Sequence, residues 1–177
     1  MIKYTYAPSP FYVANETYCR KIENELNHEG IHFRGRCDAW GFEILADFEL
    51  NKVMYHLQCI KQQSTGGKNI TEAKGLVYEG IEINGKSLDR WLDIQFQKNN
   101  LKRLFMSPAF KAVVPSPFYF RHNIRSDFNN QPLIDLCLQY QVDNFSIKNG
   151  KLKLLVHHPV EHPLELLFQL IRLSGVR

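Results

Sequence analysis

The chain lacks a long apolar run. Its most apolar stretch, Leu164 to Leu173, is short and broken by Glu165, Gln169 and Arg172, so no transmembrane helix is expected. The first residues, Met1-Ile2-Lys3-Tyr4-Thr5-Tyr6-Ala7, reach Pro8 and Pro10 without an apolar core, and a secretory signal is not expected. Cysteine is scarce: Cys19, Cys37, Cys59 and Cys137 lie far apart with no C-x-x-C pair. That excludes a disulfide scaffold and reads as reduced thiols of a soluble, cytoplasmic protein. Three N-x-S/T sequons, at Asn15, Asn69 and Asn144, then carry no meaning, since glycosylation requires export. There is no G-x-S-x-G nucleophile elbow and no repeat at solenoid period.

The composition of the 177 residues is that of a globular domain, 44% hydrophobic and 23% charged. A chain of this length buries about 70% of its unfolded surface and needs no metal or disulfide to fold, so a single domain over 1–177 is expected. Proline and apolar periodicity divide it. Ser9-Pro10 suits an N-cap and first helical position, and Phe11, Ala14, Tyr18, Ile22 and Leu26 recur at helical spacing, which predicts a helix over 10–28. Alternation at Phe42, Ile44 and Ala46, and again at Val53, Tyr55, Leu57 and Cys59, following Ile31 and Phe33, predicts a three-stranded antiparallel meander. A polar loop is expected over 62–71.

A strand over 76–83 is expected to close at Asn84-Gly85, followed by a helix capped by Ser87 with Leu88, Trp91, Leu92 and Phe96 inward. Residues 99–130 carry Pro108, Pro115 and Pro117 and read as short strands or extended pieces rather than helix. Pro132 opens a short helix along Leu133, Leu136, Cys137 and Tyr140. Val142 to Lys148 and Lys151 to His157, joined by Asn149-Gly150, form the clearest hairpin, because a type I′ turn favours Asn-Gly. A last helix runs from Pro163 to Leu173. Helices and hairpins follow one another without strand-helix-strand regularity. The fold class is therefore α+β: an antiparallel sheet, a meander plus a C-terminal hairpin, with three to four helices around one core.

Several motifs compete for a functional meaning. Residues 80–87, Gly80-Ile81-Glu82-Ile83-Asn84-Gly85-Lys86-Ser87, match the phosphate-loop expression G-x-x-x-x-G-K-[ST] letter for letter. The physics opposes it, because Ile-Glu-Ile alternates as a strand does and Glu82 would repel phosphate. Ser64-Thr65-Gly66-Gly67-Lys68 is followed by Asn69 where Ser or Thr is required. His157-His158-Pro159-Val160-Glu161-His162 offers four ligating side chains, but neighbouring imidazoles on a strand point apart, and Pro159 and Pro163 block i, i+4 pairing. It reads as a turn rather than a metal site. Asp89 and Asp93 share a face of the expected helix as solvated charge. Pro8-Ser9-Pro10-Phe11-Tyr12 recurs as Pro115-Ser116-Pro117-Phe118-Tyr119, with Ser107-Pro108-Ala109-Phe110 as a looser copy, and reads as repeated use of Ser-Pro to start an element.

The charge is uneven. A total of +4 resolves into −2 for residues 1–60, +6 for 61–125 and zero for 126–177. No acidic residue lies between Asp93 and Asp127, while Lys98, Lys102, Arg103, Lys111, Arg121 and Arg125 interleave with Phe96, Phe105, Phe110, Phe118, Tyr119 and Phe120. Cations with aromatic rings suit an anionic ligand or single-stranded nucleic acid. The competing reading puts the rings in the core and the cations in solvent. The chain is accordingly expected to be a non-catalytic protein-interaction or adaptor module, with another protein as partner and no cofactor, metal or membrane. An apolar patch exposed around Pro108 to Phe120 would support that expectation. The second expectation is nucleic-acid or anionic-ligand binding through 94–126, by Lys98, Lys102, Arg103, Lys111, Phe118, Tyr119, Arg121 and Arg125. The third is a nucleotide-binding enzyme through 80–87.

Overall fold

The structure is a computed structural model of the chain, and it describes residues 1–63, 77–86, 92–123 and 130–174. Along the chain the elements are β1 (Ile2–Tyr4), α1 (Pro10–His28), β2 (Phe33–Asp38), β3 (Gly41–Leu50), β4 (Val53–Gln63), β5 (Val77–Lys86), β6 (Ile94–Lys98), α2 (Asn100–Leu104), α3 (Pro108–Val113), β7 (Phe118–His122), α4 (Gln131–Gln139), β8 (Asn144–Lys148), β9 (Lys151–Val156) and α5 (Pro163–Leu173). The strands form one sheet in the order β1-β2-β3-β4-β5-β9-β8-β6-β7. Every pairing is antiparallel except β1 with β2, which is parallel. The α+β class stands, with a mixed sheet and five helices among the described residues where three to four were expected.

Alternation decides which side of the sheet is covered. Phe42, Ile44, Ala46, Phe48, Val53, Tyr55, Leu57, Cys59, Ile81, Ile83, Ile94, Phe96, Phe145, Ile147, Leu152 and Leu154 are buried, and the described residues that lie between them along each strand are half-buried or exposed. Side chains on a strand alternate between faces, so one face carries the core and the other is open among the described residues. Helix α1 lies on the covered face, where Tyr18 stacks on Phe42 with ring centroids 5.0 Å apart. Ser9 starts α1 by accepting from the Phe11 N–H, and Pro10 occupies the first turn, as its sequence grammar implies. Helix α5 packs against α1 and α4. Its own N-cap, His162, makes no side-chain cap. Glu25 of α1 supplies one instead, accepting from the Leu164 and Glu165 N–H groups at 3.2 and 3.1 Å.

Three expectations are overturned. Asn84-Gly85 is no turn: β5 runs through it, with Asn84 opposite His56 and Lys153 and Gly85 opposite Tyr55 and Leu152. Glycine is needed there because a Cβ would lie 2.7 Å from Tyr55 Cε1 and 3.3 Å from Leu152 Cβ. Gly80 to Lys86 is thus extended strand, and its backbone groups are committed to neighbouring strands instead of converging on an anion. The helix expected after Ser87 is replaced, where the structure describes it, by strand β6. Phe96 is held opposite both Phe120 and Phe145, and this two-sided pairing overrides the helical spacing; residues 87–91, with Asp89, lie outside the described residues. The segment expected to be extended holds α2 and α3 as well as β7. The expected loop over 62–71 falls mostly outside the described residues, with β4 continuing to Gln63.

The repeated Pro-Ser-Pro-Phe-Tyr serves two purposes. At Ser9 it begins a helix, and at Ser116 it leads through a cis Ser116–Pro117 bond into β7. The looser copy behaves like the first, Ser107 capping α3 by accepting from the Phe110 N–H. All four cysteines are free and buried, and no helix among the described residues is long and apolar enough to cross a membrane.

Candidate binding surface at the α2–α3 corner

Between β6 and β7 the chain leaves the sheet and makes two short helices. Asn99 caps α2 by accepting from the Lys102 N–H at 2.8 Å, and Ser107 with Pro108 starts α3. Three side chains anchor the corner. Met106 and Val114 are buried, and Phe110 meets the Phe120 ring edge-on at 5.2 Å. The Phe120 N–H points to Met106 Sδ at 3.2 Å, so the outer edge of β7 is covered there.

With its inner side held, the corner turns apolar residues outward. Leu101, Leu104 and Phe105 are 70%, 68% and 85% exposed, ahead of the Pro108 to Phe120 stretch where an apolar patch was expected; within that stretch Val113 is the exposed large apolar side chain, Phe110 and Phe118 being half-buried and Phe120 buried. Positions i, i+3 and i+4 share a helix face, and an apolar face of that kind normally belongs to the core. Here it faces solvent. A second group of exposed large apolar residues, Tyr6, Phe11, Val13 and Trp40, occupies the start of α1 and the β2–β3 turn.

The cations around the corner have distinct employment. Arg103 is internal cement: Nη1 donates to the carbonyls of Val114, Pro115 and Phe118, the last at 2.8 Å, and Nη2 to Lys111 O at 3.4 Å. Lys111 Nζ donates to Leu104 O at 3.0 Å, tying α3 to α2. Lys98 is paired with Asp143 and stands 5.8 Å from the Phe118 ring centroid. Phe118 itself stacks on Phe96 at 4.9 Å. Lys102 lies 5.9 Å from the Tyr119 ring. Arg121 reaches Asp93 at 3.9 Å. Arg125 lies outside the described residues.

The eight residues singled out from the sequence therefore divide. Phe118 points to the covered face beside Phe96. Tyr119 and Arg121, one and three residues on, belong to the open face opposite Gln97 and Gln95. Arg103 and Lys111 hold the corner together from within, and Lys102 stands at its rim. Leu101 and Leu104 did not stand out in the sequence, because their spacing reads as core.

Asp143 is the electrostatic hinge of this region. Burial works to raise its carboxyl, but the hydrogen bonds from Lys98 and the His157 backbone N–H, with the charge of Lys98, hold it below the ordinary carboxylate value. His157 is thereby set against a carboxylate in the turn after β9, its Nδ1 at 3.1 Å. Among the described residues no three His, Cys, Asp or Glu side chains gather as metal ligands would.

Comparison with models of protein families, with curated proteins and with solved structures found no match to this chain.

Proposed function

We propose that the protein is a non-catalytic binding module that docks on another protein through the α2–α3 corner. The observation that carries this reading is the outward apolar face of Leu101, Leu104 and Phe105 on a rigidly anchored helix pair. Exposed apolar side chains in a rim of polar groups mark interaction surfaces, and aromatic anchors dominate such interfaces. Lys102 at the rim, in a stretch with no acidic residue between Asp93 and Asp127, favours a partner segment that is apolar with an acidic flank.

The test pairs the wild-type chain with the double variant Leu101→Ser/Phe105→Ser. Both substitutions lie in solvent, so the two proteins are expected to melt together. Wild type, crosslinked in an extract of its source cells, should retain an acidic partner that the variant loses. The purified partner should slow hydrogen exchange of the 100–113 amides. Equal capture by both proteins, or protection confined to other segments, would refute the reading.

A further inference from the structure

The open face of the sheet carries a charge arrangement of its own. Strand register places Lys86 of β5 opposite Lys151 of β9, and Lys151 opposite Lys148 of β8. Three ammonium side chains thus stand in one row across adjacent strands, within about 10 Å at the usual strand spacing. All three are exposed. Their strand neighbours Gly85, Ile147 and Leu152 are buried, which assigns the lysines to the open face. Lys153, two residues beyond Lys151, adds a fourth to the same face.

Like charges directly opposite one another in a sheet oppose its pairing. No acidic residue among the described residues pairs with Lys86, Lys148 or Lys151; of the four, Lys153 alone has a carboxylate, Glu82 at 3.2 Å. The turn beneath the row is fixed, with Asn149 and Gly150 at φ 52° and 72°, so Lys148 and Lys151 are held side by side. The neighbouring row continues from Lys153 through Ser146 and Gln95 to Arg121. The row after it runs from Glu82, whose charge Lys153 meets, through Leu155, Asn144 and Gln97 to Tyr119.

We propose that this end of the open face, built on Lys86, Lys148, Lys151 and Lys153, binds the phosphate backbone of a nucleic acid without reading its sequence. Lysine, amide and hydroxyl side chains are the groups that contact phosphate and sugar, and these rows hold one aromatic ring, Tyr119. The core of a protein interface is depleted of lysine, which counts against an acidic protein as occupant. The tip of the hairpin is Asn149-Gly150, and Met54, opposite Lys86 and half exposed, is the one large apolar side chain exposed in the lysine row, less than a bilayer surface normally engages, which counts against a lipid surface. The site shares no residue with the α2–α3 corner.

Fluorescence anisotropy with a labelled single-stranded and a double-stranded oligonucleotide tests it. Either should bind at about 20 mM salt, with affinity falling linearly in log–log form as salt rises. Lys148→Gln/Lys151→Gln should bind at least about tenfold more weakly, and its salt slope should be smaller by about 1.4 to 1.8, the share of two phosphate contacts. The same variant should melt no lower than wild type, since it relieves a like-charge row. Leu101→Ser/Phe105→Ser should bind the oligonucleotides as wild type does. Absence of binding to both oligonucleotides at low salt, equal binding by the lysine variant, or tighter binding to anionic lipid vesicles than to either oligonucleotide would each overturn the proposal.

Discussion

Lys98, the last residue of β6, and Asp143, immediately before β8, join their side chains across the start of the pair that links the two halves of the sheet. The second carboxylate oxygen of Asp143 accepts the His157 backbone N–H at 2.8 Å, so one side chain secures the ends of β6, β8 and β9.

This arrangement makes a pH prediction. The folded-state pKa of Asp143 lies below the ordinary 3.8, so its contribution to stability is complete above that value and disappears as the pH falls through the lower folded value. Asp143→Asn should cost about 1–2 kcal/mol near pH 7, the worth of charged hydrogen bonds discounted for the half-exposed lysine. Urea titrations of wild type and variant should differ at pH 7 and draw together as the pH is lowered below 3.8.

Gly85→Ala tests the reason for the glycine. The added methyl would meet the Tyr55 ring at 2.7 Å in the middle of β5, and overpacking of this kind costs about 1–3 kcal/mol. Differential scanning calorimetry should show a lower melting temperature. Were Asn84-Gly85 part of a phosphate loop, the same change would abolish nucleotide binding instead, so a variant of unchanged stability contradicts the packing account.

Two phenylalanines nine residues apart should respond oppositely to truncation. Phe96 is fully buried between Phe120 and Phe145, while Phe105 is 85% exposed. Phe96→Ala should lose about 3–5 kcal/mol, and Phe105→Ala should stay within about 0.5 kcal/mol of wild type. Chemical denaturation of the two variants side by side measures both.

Much of the fold was legible where local and tertiary preferences agree. Helix α1 occupies residues 10–28 as predicted, although its first turns bury Tyr12, Asn15 and Cys19 in place of Phe11 and Ala14, and the β8–β9 hairpin turns at Asn149-Gly150 with both residues at positive φ. The failures share a cause. Asn84-Gly85 has the same local chemistry as Asn149-Gly150, but Tyr55 and Leu152 flank it, so a sequence signal for a turn was in fact a packing requirement. Pro108 was read as a breaker although Ser107-Pro108 repeats the helix start of Ser9-Pro10. The candidate surfaces were legible in part. The charge imbalance drew attention to the stretch that contains the α2–α3 corner, yet no one-dimensional pattern shows that Leu101, Leu104 and Phe105 face outward. Nor does it show that Lys86 stands beside Lys151, which is 65 residues away and becomes its neighbour only through strand order.

That strand order has a consequence for synthesis. β5 and β6 are consecutive in the chain, but β9 and β8 lie between them, so the middle of the sheet is supplied after both of its flanks have been made. Until residues 144–156 leave the ribosome, β5 and β6 each present an unpaired edge, the kind of template on which chains associate wrongly. The hairpin that closes the gap forms locally and quickly through its tight turn, which shortens the interval in which those two edges stand open.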